Sequence, residues 1–149
     1  MRIRSLQQRN QSKIKRLLEI WHASVVETHT FLTEADIAEI LPAVRLGLEK
    51  IKNLYGYYDD KAVLQAFIGM ENQKIEMLFV DAAARGQGIG RQLVDFAIAN
   101  AGTKYVDVNE QNAQGVGFYS HIGFHLISRS EFDGQGRPFP LLHLEFKKQ

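Results

Sequence analysis

Cysteine is absent from the 149 residues. That excludes disulfides, Cys-ligated zinc, iron–sulfur clusters and thiol nucleophiles. Proline is sparse: Pro42, Pro138 and Pro140 stand apart, and none opens a flexible linker. No window approaches the roughly 18 apolar residues of a spanning helix. The charged start, Met1-Arg2-Ile3-Arg4-Ser5, lacks the apolar run of a secretory signal. No membrane partner is therefore expected, and the cytoplasm is the expected compartment. Neither sign of charge dominates, with 18 Lys and Arg against 17 Asp and Glu and a net charge of +1. A general nucleic-acid binder carries a strong basic excess, so nucleic acid is not an expected partner. No H-E-x-x-H or comparable ligand set occurs, so no metal is implied.

What is present reads as one domain over residues 1–149, since domains average roughly 150 residues. The apolar fraction of 45% and charged fraction of 23% are ordinary for a soluble globule. Met1–Arg4 alternates as a short strand. Ser12 is a candidate cap for a helix carrying Ile14, Leu17, Leu18, Trp21 and Val25. Thr33-Glu34-Ala35-Asp36 resembles a capping box before a second helical stripe, which Pro42 should kink or restart. Leu54–Tyr58, Val63–Met70 and Ile75–Val80 then read as an antiparallel meander. A helix is expected from about Ile89 to Ala101, stopped by Gly102. Tyr105–Val108, Phe124–Arg129 and Leu141–Phe146 read as strands, with a short helix at Gln114–Ser120. The expected class is α+β, a mixed and mostly antiparallel sheet flanked by helices, in the order β-α-α-β-β-β-α-β-α-β-β.

The informative segment joins the third meander strand to the helix: Arg85-Gly86-Gln87-Gly88-Ile89-Gly90. Glycines here permit positive φ and close approach of a ligand. The first helical amides lack intrahelical partners and favour an anion, typically a phosphate. A Walker loop is excluded, because no Gly-Lys-Ser/Thr follows. A dinucleotide fingerprint fails at its third glycine, which falls on Arg91, although Asp107 lies where a ribose-binding acid would. What remains is R-x-x-G-x-G, open to two readings: a pyrophosphate cradle, or a turn that serves only helix–strand packing.

This loop resembles the acyl-CoA pyrophosphate motif of the GNAT superfamily (GCN5-related N-acetyltransferases). Ile75–Val80 is similar to the family's L-F-V strand, whose backbone pairs with pantetheine. Asn112, Phe118, Tyr119, Gly123 and Phe124 fall in register with its N-x-x-A-x-x-F-Y-x-x-x-G-F pattern, with Gly115 at the alanine position. Trp21–Leu32 and Asp133–Leu141 further resemble a small bacterial YjaB-like branch. The resemblance implies the GNAT acyl-CoA N-acyltransferase fold and direct transfer of an acetyl group from acetyl-CoA to a primary amine. The acceptor would be a small-molecule amine or a protein lysine, and a homodimer is a candidate assembly. A non-catalytic acyl-CoA sensor and a nucleotide-binding regulatory module remain as alternatives.

Acetyl transfer needs a neutral amine, a polarised thioester carbonyl and a protonated leaving thiolate. A free lysine is neutral only about four times in ten thousand at pH 7, so a base or a desolvating site must help. Glu76 is the candidate base, or else a solvated strand carboxylate. His22 and His29 are seven apart and share a face if the first helix persists that far. They and Thr28 are candidate substrate-binding residues, with Phe31, Tyr57 and Phe139 as further pocket candidates. The resemblance assigns carbonyl polarisation to the splayed backbone of Leu78, Phe79 and Val80, and thiolate protonation to Tyr119, or else Tyr119 with Phe118 only packs the short helix on the sheet. That protonation is uphill by roughly 2 kcal/mol from ordinary pKa values. The resemblance gives Arg85, Gly86, Gln87, Gly88, Ile89 and Gly90 the pyrophosphate. Arg91 is a candidate for the 3′-phosphate, or a solvated helix arginine. Asn112 is assigned the pantetheine or ribose side, or else an ordinary helix cap.

Overall fold

The computed structural model describes residues 2–147 and opens on strand β1 at Ile3–Ser5. Met1, part of the expected first strand, lies outside the described residues. Helix α1 spans Gln11–Thr28. Its cap is Asn10 rather than Ser12: the Asn10 side chain accepts from the Lys13 amide at 2.9 Å, which starts the helix two residues earlier than Ser12 would allow. Helix α2 spans Glu34–Lys50, and its expected capping box is fully formed between Thr33 and Asp36. Pro42 does not restart this helix. Its missing amide leaves the Ala38 carbonyl without a helical donor. The helix continues because Ile37 and Leu48, on either side, bury into one core.

Strands β2 (Asn53–Tyr58), β3 (Leu64–Glu71) and β4 (Lys74–Val80) form the expected meander. After a 3₁₀ turn at Ala82–Ala84 comes α3 (Ile89–Ala101), bounded by left-handed glycines at Gly88 and Gly102. Then follow β5 (Tyr105–Asn109), α4 (Ala113–Ile122), β6 (Phe124–Ser130) and β7 (Leu141–Phe146). The seven strands run in the order β1-β2-β3-β4-β5-β7-β6. Every pair is antiparallel except β4–β5.

The sheet carries a core on each face. Along β3, Phe67 belongs to the core with α1 and α2, while its neighbours Ala66 and Ile68 belong to the core with α3 and α4. This is the alternation of a strand buried on both sides. A bulge in β4 resets it. Met70 pairs with Ile75 and Gly69 with Met77, so Glu76 is the extra residue. Ile75 therefore packs under α3, whereas Met77 packs toward α1 and α2. Without the bulge both would face the same way.

The parallel junction is short, with register only at Lys74↔Tyr105 and Ile75↔Val106. A polar relay reinforces it. Lys74 Nζ lies 2.5 Å from Asp107 Oδ2, Asp107 Oδ1 lies 2.6 Å from His143 Nδ1, and His143 Nε2 lies 2.7 Å from Ser130 Oγ. The relay crosses β4, β5, β7 and β6. Burial works against the Asp107 charge, but hydrogen bonds from Lys74 and His143 outweigh it and hold the carboxyl below its ordinary range. Asp107 is thus committed to this junction and does not line the cavity described next, which removes the ribose-binding role of the dinucleotide reading. No described helix is long and apolar enough to cross a membrane.

Candidate active site

Beyond Ile75, β4 and β5 separate. Asp107, Val108 and Asn109 continue along β7 instead of β4. One edge of β4 is left unpaired. The Asp81 amide donates to the Gln65 carbonyl at 2.8 Å. Antiparallel strands alternate between bonded and non-bonded pairs, so Phe79 and Met77 turn their polar groups toward β3. The amides and carbonyls of Leu78 and Val80 then face the gap. Unpaired polar backbone at a sheet split is a template for an extended, amide-bearing ligand.

The gap opens into a cavity of about 370 Å³, within the range of small-molecule sites. Leu78, Phe79 and Val80 form one wall, and Ser24, Thr28 and His29 come from the end of α1. Arg85, Gly86, Gly88, Ile89, Gly90 and Arg91 line it from the loop and the start of α3; Asn112, Phe118 and Tyr119 close it from α4.

The glycines divide between the two readings of the loop. Gly86 and Gly88 hold φ of +80° and +76°, a conformation unfavourable to any residue with a Cβ. A Cβ on either would meet no atom within 4 Å, so packing does not require glycine there. Gly90 is the packing glycine, where a Cβ would stand 3.3 Å from Phe118 Cζ. Gly88 caps α3 without a side chain, leaving the first amides of the helix free for an anion. Arg85 spans the mouth, donating to Gln114 Oε1 at 2.7 Å and lying 3.5 Å from Glu27 Oε2. Gln87 is exposed and outside the lining. Arg91 lines the cavity while pairing with Asp95 at 3.3 Å. Asn112 both lines the cavity and caps α4, accepting from the Gly115 amide at 3.1 Å. Gly115 is needed for that pose, because a Cβ there would lie 2.5 Å from Asn112 Nδ2.

Tyr119 is buried, with its ring edge-on to Phe118 and Phe124. Burial pushes its phenol well above the ordinary value, so it is protonated at neutral pH. Among the described residues, the only buried side-chain polar atom without a partner is Thr103 Oγ1. The Tyr119 hydroxyl is free of protein partners and reaches the cavity surface. Its raised pKa makes proton donation costlier than ordinary values imply, unless the accepting thiolate is desolvated too.

The other candidates divide. Thr28 and His29 line the cavity; His22 does not. It faces a second hollow of about 260 Å³ with Trp21, Val26, Ile37 and Leu41. The seven-residue repeat would have placed the two histidines together, but α1 ends at Thr28 and His29 leaves the helix at ψ 59°. The His29, Phe31 and Phe139 rings form a tilted series, with centroids 5.5 and 5.7 Å apart and interplanar angles of 48° and 53°. Tyr57 is a core residue. Glu76 sits at the bulge, outside the lining, with its carboxyl raised by burial and by Asp107 and Glu71 against the opposing pull of Lys74. Sequence reasoning missed Ser24 and Gln114. Ser24 stands one helical turn before Thr28 on the same face, which was the available signal.

A model of the GNAT acetyltransferase domain matches residues 24–145. Peptidyl-lysine N-acetyltransferase YjaB of Salmonella typhimurium is 40% identical over 130 residues, covering 87% of this chain and 89% of that protein. The Escherichia coli protein of the same name is 38% identical over 87% and 88% of the respective chains. The solution structure of apo YjaB from Escherichia coli superposes with a TM-score of 0.88 at 36% identity, covering all of both chains.

Proposed function

The chain belongs to the GNAT family of acetyltransferases, and from that premise we propose that it transfers the acetyl group of acetyl-CoA to the side-chain amine of a protein lysine. The observation that carries this reading is the sheet split itself. It puts free backbone groups of Leu78 and Val80, a positive-φ glycine loop at a helix start, and the hydroxyl end of a largely buried tyrosine on one cavity.

In this reading the pyrophosphate rests on the amides of Gly86–Arg91, with Arg85 adding charge. The pantetheine arm lies along the open edge of β4 as an added strand. Asn112 bounds it from α4. The thioester carbonyl meets backbone donors at the split, where negative charge develops during transfer. Tyr119 hydrogen-bonds the leaving sulfur and delivers its proton. With no cysteine to hold an acetyl group, transfer is direct. The lysine acceptor is suggested by the activity named for the YjaB relatives.

The test pairs calorimetry, using CoA, NAD and ATP, with a thiol-release assay against lysine peptides and small amines. CoA binding with peptide-dependent thiol release is expected. Binding without release to any amine would make the protein an acyl-CoA sensor. Binding of NAD or ATP in place of CoA would remove the proposal.

A further inference from the structure

The end of α1 carries a short hydrogen-bond chain that reaches the cavity. Thr28 Oγ1 lies 2.8 Å from the Ser24 carbonyl and 2.7 Å from His29 Nδ1. A carbonyl can only accept, and a hydroxyl has one proton. Both contacts are satisfied only if Thr28 donates to Ser24 and His29 Nδ1–H donates to Thr28. The reverse tautomer would set two lone pairs against each other at 2.7 Å. The neutral imidazole is therefore protonated on Nδ1, and Nε2 carries the free lone pair. We propose that His29 Nε2 is the proton acceptor for the attacking amine, and that Thr28 is the positioning residue that fixes its tautomer.

This rests on the acetyl-transfer reading and deepens it. His29 shares its cavity with the open edge of β4 and with Tyr119. Phe31, with Phe139 behind it, restricts the ring from outside. Burial lowers the imidazole pKa, so the ring is neutral at pH 7. The charged or titratable residues that line the cavity with it are Arg85 in the loop, Arg91 on α3 and Tyr119 on α4, and Glu27 on α1 reaches it through Arg85. Glu27 is paired with Arg85 and so adds little net charge. Glu76 does not line this cavity, whereas His29 is the imidazole that does.

The step balances simply. A lysine ammonium first releases one proton to solvent. The neutral nitrogen then bonds to the thioester carbon and the C–S bond breaks. The nitrogen's second proton passes to Nε2, and the sulfur takes a proton from the Tyr119 hydroxyl. Solvent returns the proton from imidazolium to phenolate, so the net products are an amide and a free thiol.

The experiment combines pH-dependent kinetics on a lysine peptide with a ¹⁵N spectrum of the histidine ring in the resting protein. His29→Gln is expected to lower kcat about 10²–10⁴-fold near neutral pH, with the deficit shrinking as pH rises. Thr28→Val should lower kcat roughly tenfold, in the range of a lost buried hydrogen bond, and Thr28→Ser should restore it. The ring spectrum should show Nδ1–H. An Nε2–H tautomer, or a His29→Gln enzyme within threefold of the parent kcat, would overturn the inference while leaving acetyl transfer standing. A defect confined to the KM for acetyl-CoA would do the same. If the parent protein acetylates no amine, the underlying reading fails first, and the base assignment with it.

Discussion

Replacing Gly88 with alanine asks whether the glycine loop is a ligand cradle held at positive φ or a passive turn. Gly88 holds φ +76°, with nothing within 4 Å of where a Cβ would sit. No clash can therefore confuse the outcome. Holding alanine in this region costs roughly 1–2 kcal/mol. The stiffer unfolded chain returns about 0.4–1 kcal/mol. If the loop keeps its shape, stability falls by about 1 kcal/mol, or about 2–4 °C in Tm for a chain of this length. If the loop relaxes to negative φ, Tm is spared, but the amides must be re-aimed when cofactor binds. A binding loss of 1–2 kcal/mol then weakens CoA about 5- to 30-fold. The strain must appear in one quantity or the other. Thermal melts and CoA calorimetry on the same variant read both. Gly117→Ala is the matched control: it lies inside α4 with open space around it, and should gain about 0.5–1 kcal/mol. If Gly88→Ala changes neither Tm nor CoA affinity, the loop is not a cradle that depends on positive φ.

Three further outcomes follow from named side chains. Tyr119→Phe should leave Tm unchanged within about a degree, since the hydroxyl makes no hydrogen bond to a described residue, while kcat falls about 10²–10⁴-fold in a thiol-release assay; equal turnover would end the acid role. Glu76 is exposed at the bulge, and partial desolvation there raises its folded pKa, so the small stability from this group is full below its unfolded pKa near 4.3 and is lost as pH rises through the folded value. Glu76→Gln should therefore melt above the parent at neutral pH and converge with it near pH 4 in a series of thermal scans. Thr103→Val removes a buried hydroxyl that lacks a partner and should stabilise by roughly 1 kcal/mol in urea titration; a loss would mean the hydroxyl is satisfied in solution.

Much of the fold is legible in the residues because local signals agree. Helix α3 is bracketed by Gly88 and Gly102 and carries Leu93, Val94 and Ala97 at helical spacing, so its limits can be read directly. The Thr33–Asp36 capping box is similarly explicit. The bulge at Glu76 is harder. Four apolar residues follow it because both sheet faces are covered there, and such a run does not show where the alternation resets. The 3₁₀ turn of three alanines has no periodicity to detect. In the site, the glycine loop and Tyr119 are visible as motif positions. The His22–His29 pairing misleads because a seven-residue repeat assumes a helix that in fact ends at Thr28. The role of Thr28 is invisible at the sequence level, since it depends on the Ser24 carbonyl and on which ring nitrogen it meets.

In the proposed complex, cofactor occupies the split between β4 and β5 and rests on the start of α3. A backbone-amide NMR titration with CoA reads this site residue by residue. The largest shifts are expected at Leu78, Val80 and Gly86–Arg91, with smaller ones at Asn112 and Tyr119. Saturable binding that leaves the 86–91 amides unmoved and shifts another surface would contradict it.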